Sequence, residues 1–208
     1  MERLGSPKLG AFSGGSLADW DERYLRGEHA TEEPSRLLVR AVEEVVPGRA
    51  LDLACGAGRH AVFLAGRGWR VVAVDSSRVG IELTERRAAE RGVEIETHVA
   101  DLERGEFQIE PEAYDLICDF YYLQRELFPR IRAGLRTGGM LVAAIHLFDD
   151  TPDARPSNPD FLLQPGELRR EFPGWNIKHY HETSRIDDDA GEHHRRTAEI
   201  IAVKKSGV

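Results

Sequence analysis

The sequence has little of several features that define whole classes of protein. Its only cysteines are Cys55 and Cys118, too few for a disulfide framework, which fits a reducing compartment. No apolar run approaches the roughly 18 residues of a membrane-spanning helix, and the N-terminus lacks the apolar core of a signal peptide. Acidic residues outnumber basic ones by 36 to 28, and the resulting net charge of -8 repels phosphate backbones and anionic membrane surfaces. We therefore expect a cytoplasmic protein that binds neither nucleic acid nor membranes; the sequence does not indicate its oligomeric state.

What is present indicates one α/β domain. The 208 residues are 41% apolar and 31% charged, which excludes a disordered chain. At about 150 residues per domain, the length allows a single domain with some decoration. Residues 1–15 are rich in glycine and serine and predict a flexible tail, so the domain is expected over 16–208. From Ala50 onward strands alternate with helices, which is typical of a parallel sheet covered by helices on both faces.

A short amphipathic helix is predicted before this alternation begins. Trp20 and Tyr24 lie on its apolar stripe, at helical spacing, with charged residues between them. Such a helix can pack on the core, cover a ligand, or do both. We predict that residues 16–33 form a lid.

The segment that indicates chemistry runs from Asp52 to Gly58. A Gly-x-Gly turn, here Gly56 and Gly58, lets a ligand approach the backbone between a strand and a helix. Asp75 ends the next predicted strand, where a carboxylate can bind two ribose hydroxyls, and its removal is expected to leave stability almost unchanged. Asp52 would repel a pyrophosphate but attract a cation. S-adenosylmethionine carries an ammonium and a sulfonium and no phosphate, so the pattern favours this cofactor over NAD.

These residues resemble the class I S-adenosylmethionine-dependent methyltransferases. The resemblance is carried by residues 51–58, by Asp75, by the pair Asp101-Leu102 and by residues 114–117. It implies a Rossmann-like, mostly parallel seven-stranded sheet with strand order 3-2-1-4-5-7-6, an antiparallel last strand and helices on both faces. It also implies that the loop lies beside the methionine part of the cofactor and that Asp101 and Leu102 flank its adenine. The expected cofactor-binding residues are Trp20, Tyr24, Asp52, Ala54, Gly56, Gly58, Asp75, Ser76, Asp101, Leu102 and Asp119.

A narrower resemblance is to the tellurite-resistance-type small-molecule methyltransferases. Residues 20–24 (WDERY), 58–61 (GRHA) and 161–168 (FLLQPGEL) carry it. It implies an N-terminal helix that folds over the cofactor and an acceptor that is a compact or soft nucleophile. We therefore expect methyl transfer to a small molecule, with thiols and chalcogens among the candidate acceptors; the sequence leaves the identity of the acceptor open. A non-catalytic cofactor-binding protein and an NAD-linked oxidoreductase are the alternatives.

Catalytic residues are expected beyond the carboxyl ends of the strands, where open α/β sheets bind ligands. Tyr121 and His146 are the candidates there. Arg59, Arg125 and Arg155 either steer an anionic acceptor or are surface charges.

No metal site is predicted. His179 and His181 share one face of a predicted strand, and His193 and His194 point to opposite faces, but no carboxylates or cysteines surround them at ligand spacing. Residues 187–189 are three aspartates, which we interpret as a solvated turn.

Overall fold

The computed structural model describes residues 17–28, 31–149, 158–183 and 195–207. The predicted tail, Arg155, the three aspartates of 187–189 and the pair His193-His194 lie outside these ranges, as does part of the proline-rich loop that follows residue 150.

The sheet has the predicted seven strands, which are β1 (Arg49–Leu53), β2 (Arg70–Asp75), β3 (Ile95–Val99), β4 (Tyr114–Phe120), β5 (Leu135–His146), β6 (Asn176–Glu182) and β7 (Thr197–Val203). Their order in the sheet is β3-β2-β1-β4-β5-β7-β6. Strands β1 to β5 are parallel to one another, and β7 is antiparallel to both β5 and β6. This confirms the fold class.

Helices cover both faces of the sheet, because its central strands are apolar on both sides. The helices are α1 (Leu17–Leu25), α2 (Arg36–Val42), α3 (Arg59–Gly66), α4 (Arg78–Glu90), α5 (Leu127–Gly134) and α6 (Glu167–Arg170), with a 3-10 turn at Pro159–Phe161. One core contains Leu38 of α2 and Leu64 of α3, and the other contains Phe128 of α5 and Leu168 of α6. None of the described helices is long and apolar enough to cross a membrane.

Two boundaries differ from the sequence pattern. The apolar run from Leu123 predicts a helix over 123–135, yet α5 begins only at Leu127. Gly138 and Gly139, which typically end a helix, lie inside the long strand β5. A Cβ at Gly139 would lie 3.0 Å from the carbonyl oxygen of Tyr114 on the neighbouring strand. The glycine therefore permits strand pairing there instead of ending a helix.

Candidate cofactor and acceptor site

The loop that follows β1 has an unusual backbone. Ala54, Gly56 and Gly58 all have positive φ angles, of 49°, 57° and 76°. The Thr84 hydroxyl of α4 donates to the Gly56 carbonyl at 3.2 Å, and its side chain fills the space where a Cβ on Gly58 would lie. Glycine is thus required at 58 by close packing, and the positive φ favours it at both 56 and 58. The loop leads into the N-terminus of α3, and α4 holds it in place.

Asp75, at the end of β2, binds this loop directly. Its Oδ2 accepts a hydrogen bond from the Gly56 amide, and its Oδ1 accepts one from the Ser77 amide, each at 2.8 Å. The side chain is buried, and burial raises its pKa against these two hydrogen bonds. The carboxylate thus joins the loop after β1 to the start of α4, which argues against the expectation that its removal leaves stability almost unchanged. Each oxygen has a further lone pair that suits a ribose hydroxyl.

Two carboxyl groups are buried where β1 and β4 end. Asp52 is 1% exposed and Asp119 is 2% exposed. Asp52 Oδ2 and Asp119 Oδ1 have no hydrogen-bond partner among the residues that the structure describes. Such orphaned, buried carboxylate oxygens suit a cationic ligand and repel a phosphate. The site therefore fits the ammonium end of the predicted cofactor.

Helix α1 closes over the glycine loop. A Cβ on Gly56 would lie 2.5 Å from the Tyr24 hydroxyl, so the tyrosine lies against the loop backbone. The Ser77 hydroxyl donates to Asp21 Oδ1 at 2.5 Å and also accepts from the Gly80 amide as the N-cap of α4. Trp20 stacks on Tyr24 with ring centres 6.0 Å apart. Sequence reasoning placed Trp20 and Tyr24 here but missed Asp21, which lies inside the same WDERY motif.

The residues just after α1 are fixed to the body of the protein. Glu32 forms an ion pair at 3.1 Å with Arg91, the residue that directly follows α4. Arg87 of α4 donates to the Ala57 carbonyl at 2.7 Å and to the Thr31 carbonyl at 3.5 Å. One arginine therefore connects the glycine loop with the segment that leads to α1.

The predicted adenine side lies next to Asp75. The Ala100 amide donates to the Asp75 carbonyl at 2.9 Å, which places Asp101 and Leu102 beside it, and Ser76 follows Asp75 half-buried. The Asp101 carboxylate accepts the Glu103 amide at 2.9 Å and so orders its own turn. Gln124, which the sequence did not indicate, donates to the Leu102 carbonyl at 3.2 Å and accepts the Tyr122 hydroxyl at 3.0 Å.

Tyr121 and His146 lie together at the carboxyl end of the sheet, as their positions predict. Their ring centres are 5.1 Å apart, and Tyr121 has a positive φ of 63°, which is uncommon for an aromatic residue. Burial raises the pKa of the Tyr121 hydroxyl and lowers the pKa of His146 to about 4. The Arg59 guanidinium lies 5.8 Å from the Tyr121 ring centre. The pair therefore presents a neutral imidazole and a neutral phenol beside one positive charge.

Arg125 has a structural task. It donates to both carboxylate oxygens of Glu167, at 2.6 and 3.1 Å, and to the carbonyls of Asp160 and Leu162. Leu163 in turn pairs with Leu147, just beyond β5. The FLLQPGEL motif is thus clamped against the end of the sheet. These hydrogen bonds occupy the Arg125 guanidinium, so Arg125 is no longer a candidate for steering an anionic acceptor.

The remaining candidate groups stand apart from this site or are buried. Burial raises the pKa of both Cys55 and Cys118. His179 lies 3.2 Å from Glu199 on the neighbouring strand, and the described part of the chain contains no group of three or more potential metal ligands.

Comparison with known proteins identifies one family. The family described as tellurite resistance protein TehB matches residues 20–205. The chain is similar to a probable S-adenosyl-L-methionine-dependent methyltransferase, TehB of Haemophilus influenzae, with 26% identity over 196 residues, which cover 88% of this chain and 67% of the relative. It is also similar to hemagglutinin 1 of Eikenella corrodens, with 30% identity over 169 residues, which cover 76% of this chain and 54% of that protein.

A solved structure shows the same fold. The crystal structure of TehB from Haemophilus influenzae aligns with a TM-score of 0.70 at 23% identity, over 89% of this chain and 67% of that one. The chain thus spans between about half and two thirds of the length of these relatives.

Proposed function

The chain belongs to the TehB family of tellurite resistance proteins, within the class I S-adenosylmethionine-dependent methyltransferases, and we propose that it transfers the cofactor's methyl group to a small thiol or chalcogen acceptor. The observation that carries the cofactor part is the pair of buried carboxyl groups at the ends of β1 and β4, Asp52 and Asp119. Their orphaned oxygens favour a ligand with a positive charge and disfavour the pyrophosphate of NAD.

Different residues of this chain bind different parts of the cofactor. Asp52 and Asp119 hold the ammonium end, and the free lone pairs of Asp75 hold the ribose hydroxyls. Trp20 and Tyr24 of α1 cover the loop and exclude water. The bound cofactor supplies a methyl group on a sulfonium, a leaving group that needs no protonation. The protein therefore has mainly to align the acceptor.

The acceptor side supports a nucleophile that is already an anion. His146, with a pKa of about 4, is a weak base at neutral pH, and the raised pKa of Tyr121 keeps its hydroxyl protonated. A thiolate or chalcogen anion needs no base, whereas an amine or hydroxyl acceptor does. Arg59 adds a positive charge beside Tyr121 for such an anion. The net charge of -8 supports a small acceptor over a nucleic acid.

Two assays test the proposal. In a thermal-shift screen, S-adenosylhomocysteine at about a hundred times its dissociation constant should add roughly 2.7 kcal/mol of stability, and NAD should add none. With labelled cofactor, small thiols and chalcogen anions should accept methyl faster than tRNA, DNA or protein. Faster transfer to a macromolecule would overturn the acceptor class, and binding without transfer to any acceptor would favour the non-catalytic alternative.

A further inference from the structure

We propose that the methyl acceptor is an aminothiol, a thiol with an ammonium group close to its sulfur, and that Glu199 of β7 selects it by binding the ammonium. This inference rests on the proposed function, because it requires a thiolate acceptor beside Tyr121 and His146. It deepens that function by adding a positive group to the acceptor and a residue that recognises it.

The pairing of the strands places Glu199 on the same face of the sheet as Tyr121 and His146. Glu199 pairs with Ala144 of β5, and His146 lies two residues beyond Ala144 on the same strand. Directly paired residues, and residues two apart on one strand, share a face, and the Cβ atoms of a pair are about 5 Å apart. The Tyr121 amide donates to the Ala144 carbonyl at 2.7 Å, and Tyr121 packs against the core that contains Ala144. The three side chains therefore lie around Ala144 on one face.

Charges of both signs act on this group of side chains. The Arg59 guanidinium, at the start of α3, lies 5.8 Å from the ring centre of Tyr121. Burial raises the pKa of the Tyr121 hydroxyl, Arg59 lowers it and Glu199 raises it, so both charges are close enough to affect the phenol. Burial lowers the pKa of His146 to about 4, and the positive charge of Arg195 lowers it too. Two cations and a carboxylate thus lie near the acceptor position.

The Glu199 carboxylate can accept a further hydrogen bond. Its side chain is 31% exposed, and its Oε2 lies 3.2 Å from His179 Nε2 on β6. None of the described residues donates a hydrogen bond to the other oxygen, Oε1. An ammonium carries three N–H donors, and its hydrogen bonds to a carboxylate are of the strong, charge-assisted kind. Glu199 therefore suits an ammonium that arrives with the acceptor.

The mixture of charges favours an acceptor that also carries both signs. A simple thiolate is attracted by Arg59 but repelled by Glu199, whereas an ammonium on the same molecule turns the carboxylate into a partner. The ammonium also lowers the pKa of the neighbouring thiol and so increases the fraction of thiolate at neutral pH. This suits a site in which His146 is a weak base.

The methyl transfer itself needs no proton movement. The acceptor's thiolate sulfur forms the bond to the methyl carbon with its own electron pair, while the bond from that carbon to the cofactor's sulfonium breaks. The products are a methyl thioether and S-adenosylhomocysteine. The acceptor's ammonium is unchanged, so its role is to place the sulfur beside Tyr121 and His146.

Three small thiols test this specificity on the full chain. Cysteamine carries an ammonium, 2-mercaptoethanol carries no second charge, and 3-mercaptopropionate carries a carboxylate. With labelled cofactor, we expect kcat/KM to be highest for cysteamine and lowest for 3-mercaptopropionate.

Variants assign the preference to the carboxylate. In Glu199→Gln, the ratio of kcat/KM for cysteamine to that for 2-mercaptoethanol should fall by about tenfold, as expected for the loss of one charge-assisted hydrogen bond. Comparing two thiols within each variant cancels effects on folding and on cofactor binding. Glu199→Asp keeps the charge and should retain more of the ratio. Glu94→Gln is the matched control, because it removes an exposed acid at the opposite edge of the sheet, and it should leave the ratio unchanged.

The outcomes separate this inference from the proposed function. An unchanged ratio in Glu199→Gln, an equal loss in Glu199→Asp, or faster transfer to 3-mercaptopropionate than to cysteamine would each overturn the inference and leave methyl transfer to thiols intact. Transfer to none of the three thiols would overturn the thiol part of the proposed function, and this inference with it.

Discussion

Ala54 occupies a backbone conformation that favours glycine. Its φ of 49° lies in the left-handed region, which costs a residue with a Cβ about 1–2 kcal/mol. Ala54→Gly removes this cost, but the greater conformational freedom of glycine in the unfolded chain lowers the unfolding free energy by roughly 0.4–1 kcal/mol. We expect a gain of about 0.5 kcal/mol and a rise in Tm of about 1–2 °C. Ala57→Gly, in the same loop but without a positive φ, should lower the Tm; similar losses in both variants would contradict the argument.

Asp75 has two roles, and two measurements report on them separately. Asp75→Ala leaves the Gly56 and Ser77 amides without their acceptors, so we expect a loss of about 2–4 kcal/mol in unfolding free energy. The affinity for S-adenosylhomocysteine should fall with it. Asp75→Asn keeps one oxygen acceptor and should lose less of both. Denaturant unfolding and calorimetric titration measure the two effects, and wild-type values in Asp75→Ala would mean that neither task is performed.

Helix α1 depends on a contact that local sequence does not reveal. Asp21 is 56 residues from Ser77 in the chain, and its position in an amphipathic helix is equally typical of a solvated face. The apolar stripe indicates that α1 has a docking face, but the hydrogen bond that holds it is a tertiary feature. This is why Trp20 and Tyr24 were predictable near the loop and Asp21 was not.

The contact predicts how α1 contributes to binding. Asp21→Ala removes the acceptor of the Ser77 hydroxyl, and we expect the affinity for S-adenosylhomocysteine to fall by about fivefold, or roughly 1 kcal/mol. The Tm of the ligand-free protein should change little, because α1 lies outside the two cores. Glu22→Ala, an exposed neighbour on the same helix, should bind as wild type. Equal affinity of both variants in a titration would remove α1 from the binding site.

The clamp on the FLLQPGEL motif makes a prediction for the acceptor. Glu167→Gln weakens the paired hydrogen bonds from Arg125 that fix residues 160–167 at the end of β5. We expect a KM for the acceptor that rises severalfold, with unchanged affinity for S-adenosylhomocysteine, because the clamp lies away from the glycine loop. Glu126→Gln, beside Arg125 and exposed, is the control. A loss of cofactor affinity instead would show that the motif supports the other half of the site.

At the scale of the whole molecule, the buried groups give the ligand-free protein an unusual dependence on pH. A carboxyl group whose pKa is raised in the folded protein contributes stability at low pH, and this contribution is lost as the pH rises towards the folded pKa. For Asp52 the loss takes place between about pH 4 and about pH 7. His60 and His146 have lowered pKa values, so their contribution is complete above about 6.5 and is lost below it. Below about pH 6.5 the buried carboxyls and the two histidines change the unfolding free energy in opposite directions as the pH changes. Above about pH 6.5 only the carboxyls make it depend on pH.

Asp52→Asn isolates the acidic part. Its unfolding free energy relative to wild type should increase with pH, by up to about 1.4 kcal/mol per unit, and level off above the pKa of Asp52. Denaturant unfolding at several pH values measures this difference. For Glu103→Gln, which replaces an exposed acid, the difference in unfolding free energy from wild type should not change with pH. A flat curve for Asp52→Asn would mean that Asp52 is ionised at all these pH values.

The sequence predicted the order of elements better than the state of the groups between them. Alternation of apolar strands and helices, with glycines at the turns, is a local pattern, and strand order followed from the family resemblance. The predicted start of α5 was wrong, and so was the expectation that Gly138 and Gly139 end this helix. Glycines end helices and also permit close strand packing, and the local pattern does not distinguish these two roles. That the Asp52 and Asp119 oxygens have no described partner depends on every neighbour in space, which no local pattern records.

The anchoring of Thr31 and Glu32 to α4 sets the chain length available to α1. Only the stretch from Arg26 to Thr31 separates the end of α1 from a fixed point on the body. Release and return of this helix are then intramolecular, with an effective concentration in the millimolar range that a short tether typically gives. A free peptide with the sequence of α1 would have to be supplied at millimolar concentration to compete. Docking of α1 is in this sense independent of how dilute the protein is.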